Sequence, residues 1–256
     1  MIKTDEEVEL MKLSNKLVTD TLAELAKIIQ PGITTEYIDR IAEQYIRDNK
    51  GVPSFLGYCG FPKSICTSIN DQVVHGIPSN VVLKDGDIVS VDCGTILNGW
   101  QGDCAYTFEV GEVAQEIKQL MKITKESLFL GGEKAIVGNR IGDIGYAVQF
   151  HAESNGYSVV REMVGHGLGR QMHERPEVPN YGKKGSGAKL VRNMTICIEP
   201  MINMGVKSIV QEKDGWTVHT SDRKPSAHFE LPVAIRENAP VYLSNFNKIE
   251  EVLNQK

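Results

Sequence analysis

No apolar run in the 256 residues approaches the roughly 20 that a membrane-spanning helix needs. Basic residues are not in excess either: 28 Lys and Arg stand against 33 Asp and Glu, a formal net charge of −5. Sequence-independent binding of nucleic acid needs a basic surface, so that class of function is excluded and no specific nucleic-acid partner is expected. Cysteine is scarce. Cys59, Cys66, Cys93, Cys104 and Cys197 are odd in number and include no Cys-x-x-Cys pair. That argues against a disulfide framework and against a cysteine zinc site, and leaves most of them as small buried apolar residues. Low-complexity segments and clear linkers are also missing, and Lys183–Gly187 is the most loop-like stretch. The first residues, Met1-Ile2-Lys3-Thr4-Asp5-Glu6-Glu7, are charged where an export signal would be apolar, so a cytoplasmic location is expected. What remains is ordinary globular composition, 41 % hydrophobic and 24 % charged, in a chain long enough for a sizeable core.

The pattern along the chain reads as two similar halves, about 4–110 and 111–245, within one domain over 1–256. Thr4-x-x-Glu7 is a capping-box pattern. Val8, Met11, Leu17, Leu22, Leu25 and Ile29 then recur at helical spacing until Pro31-Gly32. A second helix is expected from about 35 to 49, followed by Gly/Pro-punctuated segments and a strand pair near 87–108. The second half repeats the order. A helix near 112–130 should end at Gly131-Gly132, a shorter one should follow near 141–155, and strands are expected near 159–164, 193–199 and 227–236. Helices alternating with groups of strands make this an α+β fold.

The acidic residues inside strands carry the most information. Asp92 lies in Ile88-Val89-Ser90-Val91-Asp92-Cys93 and Asp103 in Gly102-Asp103-Cys104-Ala105-Tyr106, with the hairpin signal Asn98-Gly99 between them. If Asn98 and Gly99 are the two turn residues, Asp92 faces Ala105 and Asp103 faces Gly94. The two carboxylates then share one face as diagonal neighbours, about 7–8 Å apart at the backbone, able to grip something between them. Asp is depleted in strands, so a pair of them among apolar neighbours points to function. Glu199 ends the apolar run Met194–Ile198 and precedes Pro200, and a charge there is costly unless paired or bound to metal. Glu230 follows Ser226-Ala227-His228-Phe229. Alternation puts His228 on its face, where the roles open to it are a ligand, a partner behind a ligand, or a hydrogen-bonded structural histidine, the last being expected. His166 and His173 flank a glycine-rich stretch, Gly165-His166-Gly167-Leu168-Gly169, in which the backbone is expected to come close to something. His75 alone is weak evidence.

Taken together, Asp92, Asp103, His166, Glu199 and Glu230 resemble the dinuclear metal site of the methionine aminopeptidases. The strings Pro62–Asn70, Val91-Asp92-Cys93-Gly94, Gly102–Phe108, Gly165–Gly169 and Ile198-Glu199-Pro200 resemble that family closely, and the resemblance runs from about residue 4 to 245. It implies the family's pita-bread fold, in which two pseudo-symmetric halves pack a mainly antiparallel sheet against helices. The chain looks like the short type I class, beginning directly at the catalytic domain and with little room between His173 and Glu199 for an insertion.

The resemblance also implies roles. Four carboxylates and an imidazole suit two divalent ions such as Mn, Fe, Co or Zn. Asp103 and Glu230 would bridge them, with Asp92 on one ion and His166 and Glu199 on the other. Glu199 resembles the family's proton shuttle, His173 would donate to the substrate carbonyl oxygen, and His75 would face the reacting peptide nitrogen. Positions matching the family's methionine pocket are Tyr58, Phe61, Cys66 and Trp216, with Met172 beside His173. Two departures stand out: Met172 where bacterial relatives often have Phe, and Leu231-Pro232 after Glu230 where they usually have His-Thr. The Pro removes a ladder donor next to a ligand. The implied substrate is a nascent peptide with a free N-terminal Met and a small second residue, met near the ribosome by a monomeric enzyme.

Overall fold

The computed structural model describes residues 2–256. Helix α1 (Asp5–Ile28) starts where the capping box predicts: Thr4 Oγ1 accepts the Glu7 N–H at 3.2 Å, and Glu7 Oε2 accepts the Thr4 N–H at 2.9 Å. Its buried stripe includes Val8, Met11, Val18, Leu22 and Leu25, but also the polar pair Ser14 and Asn15. Helix α2 (Thr35–Asp48) is capped by Thr34 and packs on α1. In the second half, α3 (Gln115–Gly132) and α4 (Ile141–Ser154) form the corresponding pair, and a short α5 (Asn247–Leu253) closes the chain against α1.

Helix α3 ends at Gly131-Gly132, as the sequence predicts, and the two glycines form its last turn. A Cβ on Gly131 would sit 2.7 Å from Val148 of α4, and one on Gly132 would strike the Tyr242 hydroxyl. The pair is spent on close packing, a demand that exists only once the tertiary partners are in place.

Strand Ile88–Leu97 pairs with Trp100–Glu109 on one side, and with Ile65–Ile69 and Val52–Pro53 on the other. The turn is Asn98-Gly99, with φ of 53° and 74°, the left-handed pair of a type I′ hairpin. Register follows: Asp92 faces Ala105 and Asp103 faces Gly94, as the turn chemistry predicts. A five-stranded antiparallel sheet carries Val241–Tyr242, Leu231–Ala234, Thr195–Ile198, Gly165–Gly167 and Glu174–Val178 in that order. Ser226–His228 pairs separately with Met201–Asn203.

The strand expected at 193–199 is Thr195–Ile198, ending before Glu199, whereas the one expected at 227–236 is broken at Phe229-Glu230. Ile198 pairs with Leu231 and Met201 with His228, leaving Glu199-Pro200 opposite Phe229-Glu230 at a shared step between two sheets. Glu230 uses the step to bridge to the first half, its N–H donating to Ala105 O at 3.0 Å. The expected strand 159–164 is shorter, Ser158–Val159 only. Pro232 does not disrupt the ladder. Its carbonyl accepts the Leu243 N–H at 2.9 Å, so its missing donor faces the two-residue edge strand Val241–Tyr242 and not Thr195–Ile198.

Helix α1 lies directly on the strand that carries Asp103. A Cβ on Gly102 would come within 2.7 Å of the Ser14 carbonyl, and Asn15 Oδ1 accepts the Asp103 N–H at 3.0 Å. Overpacking of this kind costs about 3 kcal/mol. Gly102→Ala should lower the unfolding free energy of the metal-free protein by about that amount in urea titrations. A change within about 0.5 kcal/mol would show that helix and strand can part without cost.

Candidate metal centre

Five predicted side chains converge on one cavity of about 430 Å³: Asp92, Asp103, His166, Glu199 and Glu230 all line it. Asp103 is 3 % exposed and Glu230 2 %. His166 Nε2 lies 3.5 Å from Asp103 Oδ2 and 3.6 Å from Glu199 Oε1. Its Nδ1 lies 2.9 Å from Gly167 O, so the ring donates there, and Nε2 faces the carboxylates, where it would offer a lone pair once its proton is displaced. Among the described residues, donor atoms of Asp103, His166, Cys197 and Glu230 fall within 4.8 Å of one another.

Asp92 Oδ1, Asp103 Oδ1 and Glu230 Oε1 are buried with no hydrogen-bond partner. Unpartnered buried carboxylate oxygens are expensive, and several facing each other more so. Burial, then repulsion from Asp103 and Glu199, drives the Asp92 carboxyl well above its usual range. The same causes, with Asp92 added, act on Glu230. Burial raises Glu199 to about 8, opposed by His166 and helped by Asp103. His166 is pulled down by burial, but Asp103 and Glu199 outweigh that and lift it to about 9. A cation relieves all of this at once. Hard oxygen donors plus one imidazole fit divalent ions, which would have to displace the protons these groups hold.

Glu199 keeps a proton in the folded chain up to about pH 8 that the unfolded chain loses near 4.5, so its charging disfavours the fold as pH rises. His166 contributes stability below its unfolded value of 6.5 that is lost as pH rises through about 9. Buried His228 acts oppositely. Burial, then His75, holds it down to about 3, so acid favours the unfolded chain below 6.5. The melting temperature of metal-free protein should therefore be highest below about pH 6.5 and fall towards 8.5, and saturating Mn²⁺ should remove the alkaline fall. An alkaline slope equal with and without metal would contradict the ligand assignment.

The other predicted residues gather around this floor. His173 opens to the cavity, its ring 4.3 Å from that of His166. Burial of its inner edge and the charge of His166 push it down to about 4. Tyr58 Oη lies 2.8 Å from its Nδ1. If the hydroxyl donates, the ring proton is on Nε2. Phe61 and Trp216 meet edge-to-face at 5.1 Å and, with Cys66, form the apolar end. Trp216 sits in the hairpin between Ile209–Gln211 and Val218–Thr220, which the sequence reading missed. Its turn is closed by Asp214 Oδ1 accepting the Trp216 and Thr217 N–H groups.

His75 stands over Trp216, ring centroids 6.4 Å apart, and burial lowers its pKa. Its φ of +59° is the left-handed region, sparsely used by such a side chain. The cause is next door: Gly76 lies so close to the Thr67 carbonyl that no Cβ would fit, and its own carbonyl accepts the Thr67 N–H at 2.8 Å. Met172 is corrected. It is buried in a cluster with Val8, Met11 and Trp100, against Gly94, and does not line the cavity. Its neighbour His173 faces the cavity, so the chain turns Met172 inward. Glu162, Met163 and Cys59, at the rim, carried no sequence signal for a role there.

Known proteins place this geometry. The model of metallopeptidase family M24 matches residues 9–237. The methionine aminopeptidase of Clostridium acetobutylicum is 53 % identical, covering 95 % of this chain and 98 % of that one. Methionine aminopeptidase 1 of Bacillus subtilis is 46 % identical over 92 % of this chain and 95 % of its own length. The crystal structure of methionine aminopeptidase from Rickettsia prowazekii superposes with a TM-score of 0.95 at 40 % identity, covering 96 % of this chain and 99 % of that one. The fold is accordingly the pita-bread architecture. The chain belongs to metallopeptidase family M24, within its methionine aminopeptidases.

Proposed function

We propose that this chain hydrolyses the N-terminal initiator methionine from nascent polypeptides whose second residue is small. The observation that carries the reading is one cavity with two ends: an aromatic, thiol-lined slot at Phe61, Cys66 and Trp216, and a floor of four carboxylates and His166. An unbranched thioether suits the first, with favourable sulfur–aromatic contact. As an M24 member with a buried ligand cluster, the protein uses divalent metal. In our reading Asp92, Asp103, His166, Glu199 and Glu230 would hold two ions drawn from Mn, Fe, Co or Zn.

Bound divalent ions supply Lewis acidity towards the scissile carbonyl and make an attacking water acidic enough to lose a proton near neutral pH. The chain's own groups do the rest. Glu199 accepts that proton and returns it to the leaving amine. His173, kept neutral, donates from Nε2 to the carbonyl oxygen as negative charge grows there, with Tyr58 holding its Nδ1. His75, also desolvated, faces the reacting peptide nitrogen. Trp216 and Phe61 exclude water from the methionine slot.

The reading extends to the setting. Residues 1–256 act as one catalytic domain of two halves, about 4–110 and 111–245, supported by the repeated helix-pair order and the Ala105–Glu230 bridge. The enzyme works as a cytoplasmic monomer on chains leaving the ribosome, which is where an initiator methionine with a free amine is first available.

Release of methionine from Met-Ala-Ser, Met-Lys-Ser and an X-Pro peptide, with and without chelator, tests the proposal. Met-Ala-Ser should be cleaved at least about 10²-fold faster than Met-Lys-Ser, since a long second residue would crowd the floor. Chelator should abolish turnover. Chelator-insensitive activity, or preference for the X-Pro peptide, sinks the reading.

A further inference from the structure

We propose that His228 is a positioning residue for Glu199, its Nε2–H holding one carboxylate oxygen so that the other is turned to the metal ligands. The inference rests on the proposed two-metal aminopeptidase function.

The sequence left His228 open between a ligand, a partner behind a ligand and a hydrogen-bonded structural histidine, with the last expected. Instead, His228 Nε2 is buried without any hydrogen-bond partner, and the residue is only 1 % exposed. An orphaned buried ring nitrogen calls for a reason. The backbone around it is well secured: the His228 N–H donates to Thr107 Oγ1 at 3.0 Å, and that hydroxyl donates to His228 O at 2.7 Å. Pairing with Met201 places His228 at the step where Glu199-Pro200 leaves the ladder. The ring therefore does not hold the fold together through Nε2, and His228 is among the residues that line the cavity.

What it presents to is Glu199. Glu199 Oε1 lies 3.6 Å from His166 Nε2, and Glu199 Oε2 lies 3.7 Å from His228 Nε2. The carboxylate straddles two imidazoles. One of them, His166, is committed as a ligand by its Nδ1 contact to Gly167 O. Both distances exceed a formed hydrogen bond, and a shift of under about 1 Å closes the second one. Glu199 carries two tasks, ligation and proton transfer, and each needs a defined oxygen. Hydrogen bonds behind a ligand fix its orientation and commonly change metal affinity 10–100-fold. A neutral Nε2–H is the donor such a carboxylate needs.

The test compares His228→Leu, which removes the donor, with His228→Gln, which keeps an N–H at similar reach. Mn²⁺ binding is read by calorimetry on metal-free protein, and kcat and KM on Met-Ala-Ser. For His228→Leu, the weaker Mn²⁺ site should lose about 10-fold in affinity and kcat should fall about 10-fold with KM near wild type. His228→Gln should recover most of both. Wild-type affinity and kcat in His228→Leu overturn the proposal. A change confined to KM overturns it too, since that marks a substrate contact. So does loss of a whole Mn²⁺ equivalent in both variants, which marks a direct ligand. If His228→Leu fails to fold, long-range ¹H–¹⁵N spectra of the zinc-loaded wild type decide: a protonated Nε2 supports the role and a bare one overturns it. Wild-type protein that binds Mn²⁺ but leaves Met-Ala-Ser intact would refute the function while the affinity comparison still judged His228.

Discussion

Asp103→Ala is expected to lower kcat/KM for Met-Ala-Ser by about 10³-fold or more, because a ligand of the proposed metal centre would support several kcal/mol of transition-state stabilisation. The residue is committed to the centre, its side chain facing His166 Nε2 at 3.5 Å. It is 3 % exposed, its Oδ1 lacks a partner, and its backbone is held by Asn15 from α1. The variant has a second signature of opposite sign. Asp103 is a leading source of the repulsion that raises Asp92 and Glu230. Removing its charge should raise the melting temperature of metal-free protein at pH 7.5 while erasing the rise that Mn²⁺ gives the wild type. A globally damaged protein would melt lower in both states, so the pair of measurements separates lost ligation from lost folding. If two-ion binding and turnover both survive, the ligand assignment is wrong.

His173→Ala should lower kcat about 10²-fold with little change in KM or in Mn²⁺ affinity, the pattern for a donor used mainly in the transition state. The ring is set for that role by its surroundings. Its inner edge and the adjacent His166 keep it neutral near pH 7, and Tyr58 engages its Nδ1. Loss of Mn²⁺ affinity in His173→Ala would mean that the ring is a ligand. An unchanged kcat would mean that the carbonyl oxygen is stabilised without it.

Much of the centre was legible because its placement is local. A two-residue Asn98-Gly99 turn sets the hairpin register, and register with period two decides that Asp92 and Asp103 share a face. Thr4 and Glu7 likewise decide where α1 begins. Glu199 and Glu230 were found by cost, as charges in otherwise apolar strands. What was missed needed a distant partner. Gly131-Gly132 does end α3, but its second task, close packing against α4 and Tyr242, was not legible. Met172 looked like pocket wall by its place beside His173, but its side chain fills a cluster built from α1 and Trp100.

The sequence by itself determined the donor types, their order, and the hairpin that brings two of them together, because turn chemistry and side-chain alternation act over a few residues. The tertiary structure alone decided which breaks in two distant strands face each other, so that Glu199 and Glu230 meet over the first-half hairpin. It also decided that His75 is held at positive φ and that His228 is left without a partner beside Glu199. Those outcomes depend on long-range pairing and close backbone approach, which no local pattern encodes.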